Sequence, residues 1–300
     1  MAISNDQLQT WANAPASAKI QHTNEQIRKA LSLSEALKLR NFEVYLQGSY
    51  ANSTNTKSDS DVDIVVQLNS TFSPNTTRVN AFQKSLFDLT YSNAAYHWSD
   101  FRQDVINALI SHFGTSKIKT SGNKSIKLIG DQNLLNADVV PCLQHRNYNS
   151  FDLSNKKDYV EGMKFRTIRE NTEIINYPRV HIQHGEDKNA QHRTDEMYKD
   201  IVRVVKNIRR KLVEGECFDQ KTAPSYFIEC AIYNAPNGHF NGDHQTSLTY
   251  VFDFILRKCD ADQLLTVSHQ HKLFGDKLWQ WNKLDASNFF TLAEQYYINN

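Results

Sequence analysis

Between Ala16 and Leu39 the apolar residues Ile20, Ile27, Leu31, Leu33, Leu37 and Leu39 recur at mostly helical spacing among Lys, Glu and Arg. This predicts one long amphipathic helix, with Pro15 tolerated in its first turn. FEVYLQGSY follows, a β-rich run stopped by Gly48, and then the polar loop ANSTNTKSDS. The short, β-branched DVDIVVQL reads as a buried strand. Residues 78–113 read as two helices, and KIKT, SIKLI and LLNADVVPCL as strands separated by SGN and GDQN turns. Beyond about residue 175 helical patterns dominate, over 194–213, 224–234, 246–259 and 286–298. The expected fold is therefore α+β, a sheet lobe over residues 1–175 followed by a helical lobe over 176–300. No internal repeat and no Gly/Ser or Pro linker separates them, so the lobes are expected to share an interface. The long N-terminal helix is expected to run behind both.

Composition narrows the function classes. Lys plus Arg number 34 and Asp plus Glu 33, a formal net charge of +1. A protein built around a standing DNA or RNA partner usually carries a large basic excess, so no stable nucleic-acid partner is expected. Only 10 Gly and 6 Pro exclude collagen-like, low-complexity and turn-dense all-β chains, while 16 Phe and 13 Tyr argue against disorder. The mean hydropathy of −0.59 and the lack of any stretch approaching ~20 apolar residues predict no membrane partner. Cys142, Cys217, Cys230 and Cys259 form no Cys-x-x-Cys pair, and MAISNDQLQTW has no secretory pattern. A reducing, cytoplasmic setting is expected.

The chemistry concentrates in Gln47-Gly48-Ser49 and, after eleven further residues, Asp61-Val62-Asp63-Ile64-Val65-Val66. Side chains alternate along a strand, so Asp61 and Asp63 share a face. A lone Asp-x-Asp is ordinarily a solvated pair at a strand start, but this one runs directly into apolar Ile64-Val65-Val66. Neighbouring carboxylates repel unless a cation neutralises them, and hard divalent ions prefer such all-oxygen surroundings. A calcium loop beginning at Asp59 is rejected, because Ile64 stands where the obligatory Gly belongs and Ser70 where the bidentate Glu belongs. Gly48 permits close approach of a phosphate to backbone N–H groups, and the Ser49 hydroxyl adds a donor. Asp138, in LLNADVVPCL, joins the pair if its strand neighbours theirs. Three carboxylates can hold two metal ions ~3.5–4 Å apart, one activating a hydroxyl and the other clamping a triphosphate. Two Mg²⁺ ions are expected, with Mn²⁺ as the alternative. Such an arrangement suits in-line phosphoryl or nucleotidyl transfer.

Gly48-Ser49, Asp61-x-Asp63 and Asp138 resemble the signature of the DNA polymerase β-like nucleotidyltransferase superfamily. Within it, INYPRVHIQHGEDKN (175–189), MYKDIVRVVKNIRRKL (197–212) and APSYFIECAIYN (223–234) resemble the bacterial cyclic oligonucleotide synthases, or CD-NTases, relatives of animal cyclic GMP-AMP synthase. Lys199, Arg203, Lys206 and Arg210 fall at i, i+4, i+7 and i+11, a cationic stripe opposite Ile201, Val204, Val205 and Ile208. Residues 199–211 hold six Lys or Arg and one Asp, a local charge of +5 that suits a triphosphate. The resemblance assigns Lys206 to the nucleotide phosphates, with Arg203 second. Ser225-Tyr226 resembles a Ser-Tyr pair in which the serine contacts phosphate and the tyrosine stacks on a base; a core position for Tyr226 beside Phe227 is the competing reading. Gln47 is assigned to nucleotide contact as well. His181, His184 and His192 have no cysteine nearby to complete a zinc site and read as structural or surface residues.

The resemblance implies an enzyme that joins ATP, GTP or other NTPs into a cyclic di- or trinucleotide. It further implies a role in antiphage defence (CBASS), where the product activates a separate effector protein. Two other readings stay open: nucleotide transfer onto an RNA or protein acceptor, and a nucleotide-binding sensor on an inactive transferase fold.

Overall fold

In the computed structural model, which describes residues 2–14, 18–56, 61–277 and 279–300, the first half mixes helices and strands. In order they are α1 (Asn5–Ala12), α2 (Ala18–Ser32), α3 (Glu35–Lys38), β1 (Phe42–Gln47), α4 (Gly48–Ala51) and β2 (Asp61–Asn75). There follow α5 (Ala81–Thr90), α6 (Trp98–Phe113), β3 (Ile118–Lys119), β4 (Ile126–Leu128), β5 (Asn136–Tyr148), β6 (Tyr159–Arg166) and β7 (Glu173–Asn176). Helices then take over, with α7 (Pro178–Asn189), α8 (Gln191–Thr194), α9 (Met197–Glu214), α10 (Ser225–Tyr233), α11 (His244–Asp253) and α12 (Lys283–Asn299). The class is α+β, as the patterning predicts.

Two compact units result. The sheet unit comprises Ser17–Gln47 and Ser60–Arg179; the helical unit comprises Met1–Ala16, Gly48–Asp59 and Val180–Asn300. The chain thus passes from sheet unit to helical unit at 179/180, and two segments from the N-terminal half group with the C-terminal residues.

In the sheet unit the strands run in the order β1-β2-β5-β4-β3, with β6 pairing β5 and β7 pairing β6. β2 and β5 are parallel; every other pairing is antiparallel. Val62, Ile64, Val65, Val66 and Leu68 are all fully buried, which is why this stretch of β2 shows a continuous apolar run rather than strict alternation. α2 packs on α6 and β1, and α6 packs on β5.

Several expectations change here. The single helix expected over Ala16–Leu39 is divided into α2 and α3, because Ser34 adopts an extended backbone and its carbonyl accepts from the N–H groups of Leu37 and Lys38. Leu33 and Leu39, counted in the apolar stripe, are exposed. The packing partners of α2, namely α6 and β1, both belong to the sheet unit, whereas α1 packs on α9 and α11 of the helical unit. Pro15 and Asp59 lie outside the described residues. The helix expected over 246–259 starts at His244 and ends in a π-helical turn, Phe254–Lys258. α1, α7, β6 and β7 lie outside the elements the patterning predicts; the buried face of α7 holds His181, Gly185 and Lys188 rather than aliphatic residues.

In the helical unit α9 is central, packing against α1, α10, α11 and α12. Tyr198 of α9 and Phe240, Phe252, Phe289 and Phe290 are fully buried in this core. No helix among the described residues is long and apolar enough to cross a membrane.

Candidate active site

Register in the sheet brings the acidic residues together. Asp61 pairs with Asn136 and Asp63 with Asp138 across the parallel β2–β5 ladder. Paired residues point to one face, so all three carboxylates stand on the same side of the sheet. The row through Asp63 and Asp138 continues to Gln47 on β1 and to Lys127 on β4. Lys127 Nζ donates to Asp61 Oδ2 at 2.7 Å, and Asn136 Nδ2 donates to Asp61 Oδ1 at 3.2 Å. Ser125 Oγ donates to Asp138 Oδ1 at 2.8 Å. The hydrogen bond to Asp61 holds the Lys127 ammonium above the ordinary lysine value, against the opposing effect of desolvation. Like charges crowded on one sheet face are thereby partly neutralised from within the chain.

The donor chemistry suits a hard divalent cation: three carboxylates on one rigid sheet face, already accepting a cationic group at Asp61. As they stand, however, no three His, Cys, Asp or Glu side chains among the described residues converge to hold one ion. Asp61 is turned to Lys127 and Asn136, and Asp138 to Ser125. Past the acids the same face turns apolar through Val65, Val140, Met163, Phe165 and Ile174, with Tyr45 packed against them.

The remaining candidates belong to the helical unit. The peptide bond after Gln47 leads into Gly48, whose φ of +70° is a left-handed conformation that favours glycine. Ser49 follows in the one-turn helix α4. Its carbonyl accepts from Thr54 N–H at 2.9 Å, as the Gly48 carbonyl does from Asn52 N–H at 3.0 Å.

The cationic stripe of α9 differs from its expected form. Lys199, Arg203 and Lys206 are buried, not presented as an open charged face. Lys199 pairs with Glu186. Arg203 donates to the carbonyls of Ala12 and Ser53 and to Asp200, whose other oxygen lies 3.1 Å from His244 Nε2. Lys206 Nζ donates to the Thr54 carbonyl at 2.8 Å. Arg203 and Lys206 therefore grip the loop behind Ser49, and helical periodicity alone gave no sign of those carbonyl partners. Arg209, the next cation, donates to the Ala223 carbonyl at 2.7 Å and to Ser225 Oγ at 2.9 Å, setting Ser225 at the start of α10. Tyr226 is 41% exposed, with its ring 5.5 Å from that of His181. It is not a core residue.

Glu229, which the sequence pattern did not single out, and His181, read there as structural or surface, complete the helical-unit network. Glu229, in the apolar-looking FIECAIY, is 5% exposed and accepts from Asn52 Nδ2 at 3.1 Å and Thr54 Oγ1 at 3.2 Å. His181 Nε2 lies 2.9 Å from Glu229 Oε1, the oxygen that also accepts from Asn52. Burial works to raise this carboxyl, but His181 and Lys206 together with the Asn52 hydrogen bond hold it below the ordinary value, so it stays ionised.

Comparison with known proteins agrees with both units. Residues 25–165 match the nucleotidyltransferase domain family, and residues 183–298 match the cGAS/DncV-like nucleotidyltransferase C-terminal helical domain family. The chain is 37% identical over 294 residues to the cyclic nucleotide synthase CdnE01 of Staphylococcus haemolyticus, spanning 96% of each chain. It is 40% identical over 289 residues to the cyclic UMP-AMP synthase of Rhodothermus marinus, again spanning 96% of each. The solved structure of Rhodothermus marinus CdnE c-UMP-AMP synthase with Apcpp and Upnpp matches with a TM-score of 0.87 at 37% identity, over 99% of this chain and 97% of that one. The chain belongs to the CD-NTase family of cyclic nucleotide synthases and is a nucleotidyltransferase.

Proposed function

We propose that the protein joins ribonucleoside triphosphates, ATP, GTP or another NTP, into a cyclic di- or trinucleotide with release of pyrophosphate. The observation that carries this reading is the in-register Asp63–Asp138 pair on parallel strands, with Asp61 two residues earlier on the same face. Asp61, Asp63 and Asp138 would hold two divalent ions, Mg²⁺ or Mn²⁺, which when bound neutralise the triphosphate and activate the incoming ribose hydroxyl. That hydroxyl gives its proton to solvent as its oxygen attacks the α-phosphorus of the donor, the bond to the β-phosphate bridging oxygen breaks, and pyrophosphate departs with its electron pair. The linear intermediate turns round, and a second transfer closes the ring. In this reading the sheet unit is the catalytic lobe and the helical unit the nucleotide-binding lobe. Gly48, Ser49 and Ser225 contact phosphates, Gln47 contacts the nucleotide, and Tyr226 offers its exposed ring to a base. Lys206 and Arg203 act on the phosphates through the loop they grip.

Relatives spanning nearly the whole chain are named for cyclic dinucleotide products, among them cyclic UMP-AMP, which favours a ring of two. The family resemblance supports a cytoplasmic role in CBASS, the product acting on a separate effector. The test is to incubate the pure protein with NTPs and Mg²⁺ and seek phosphatase-resistant products by mass spectrometry. Asp61→Asn should abolish the product while leaving the circular dichroism spectrum unchanged; undiminished synthesis would sink the metal assignment. Label appearing solely on added RNA or protein would replace this reading with transfer to a macromolecular acceptor.

A further inference from the structure

Thr54 is 1% exposed, and each of its polar groups is engaged. Its N–H donates to the Ser49 carbonyl, its carbonyl accepts from Lys206 Nζ, and its hydroxyl donates to Glu229 Oε2. Glu229 Oε1 at the same time accepts from Asn52 Nδ2. The carboxylate thus reaches both residues that bond back to Gly48 and Ser49. Between them Ser53 sits at φ +56°, a left-handed conformation that a residue with a Cβ holds only when its surroundings impose it. Arg203 supplies one such constraint at the Ser53 carbonyl. A buried carboxylate that costs free energy to desolvate is retained here where it fixes a polar loop, with His181 Nε2 2.9 Å from Oε1 and the Lys206 ammonium acting on it.

We propose that Glu229 and Thr54 are positioning residues, which lock the Gly48-Ser49 segment into the conformation that receives the triphosphate. Neither needs to touch the substrate; both act through Ser49. This inference rests on the proposed assignment of Ser49 to the phosphates.

Thr54→Val keeps the side chain's shape and deletes its donor, Thr54→Ser restores the hydroxyl, and Glu229→Gln keeps the volume while removing the charge. Steady-state kinetics on the full chain should show KM for NTP raised roughly tenfold by Thr54→Val and by Glu229→Gln, the scale of one lost buried hydrogen bond to a charged group. kcat should change little, and Thr54→Ser should return KM to near the wild-type value. In a Ser49→Ala background, which itself raises KM, Thr54→Val should add less than it does alone. A merely structural network would instead lower the folded fraction, and with it apparent kcat, while leaving KM unchanged; that outcome overturns the positioning role. If Ser49→Ala raises KM and Thr54→Val does not, the positioning role fails and the phosphate assignment stands. If Ser49→Ala has no effect, the phosphate assignment itself fails, and this inference with it.

Discussion

Lys127→Met tests whether the acidic face of the sheet is a cation site. The Lys127 ammonium lies 2.7 Å from Asp61 Oδ2, so it occupies ground that an arriving divalent ion must share or clear. In water-like screening two unit charges at that separation attract by about 1.5 kcal/mol. The Lys127 and Asp61 side chains are 44% and 29% exposed, so solvent discounts the interaction towards the range of surface pairs, about 1 kcal/mol or less. Removing this resident cation should therefore tighten Mn²⁺ binding to the nucleotide-free protein by up to roughly fivefold. The assay is electron paramagnetic resonance of free Mn²⁺ across a protein titration, with Asp61→Asn as the variant expected to lose affinity. The gain should shrink in 1 M salt, where screening acts within about 3 Å. Unchanged or weaker Mn²⁺ binding by Lys127→Met would refute the reasoning, because the ammonium would then not compete with a metal at Asp61.

Two further perturbations probe the helical unit. Gly48→Ala forces a side chain into φ +70°, and should lower stability to urea by about 1 kcal/mol while raising KM for NTP; unaltered values of both would mean that the turn tolerates a Cβ. Lys188 is buried between the rings of Tyr233 and Phe240, and desolvation lowers its pKa from 10.5 to about 8. Between those pH values the unfolded chain holds a proton that the folded chain has released, so stability should rise with pH across this window. Measured as wild type minus Lys188→Met, the rise should approach about 3 kcal/mol, less whatever the two rings return to the charged form; a flat difference between pH 8 and 10.5 would contradict the shift.

The acidic face was legible because its signal is local. Asp61 and Asp63 alternate within one strand, and the same alternation at Asp138 foretold a shared face once β2 and β5 paired. Lys127 was not legible: it is the middle residue of a three-residue strand, and its meaning depends on antiparallel pairing with β5. Glu229 hid among Phe227, Ile228 and Ile232, where pattern reading fills every position with core. α7 was missed for the opposite reason, since its buried face is built from His181, Gly185 and Lys188 rather than aliphatic residues. The partners of the α9 stripe were not legible, because helical periodicity gathers cations on one face without showing what they meet. Here the carbonyls of Ala12, Ser53 and Thr54 take the place of water, and all three come from segments far away in sequence.

The grip of Glu229 on Thr54 and Asn52 also sets an order of events during synthesis. The loop leaves the ribosome early; its carboxylate clasp emerges only when translation has passed residue 229. At about 5–20 residues per second, roughly 10–35 s separate the two. Through that interval the Ser49 segment lacks the contacts that would shape it, although β2 and β5 can pair once residue 148 has emerged. A nascent or truncated chain can therefore assemble the acidic face without a finished Ser49 segment. Shaping of the Ser49 segment therefore waits on the last third of the chain, whereas the sheet does not.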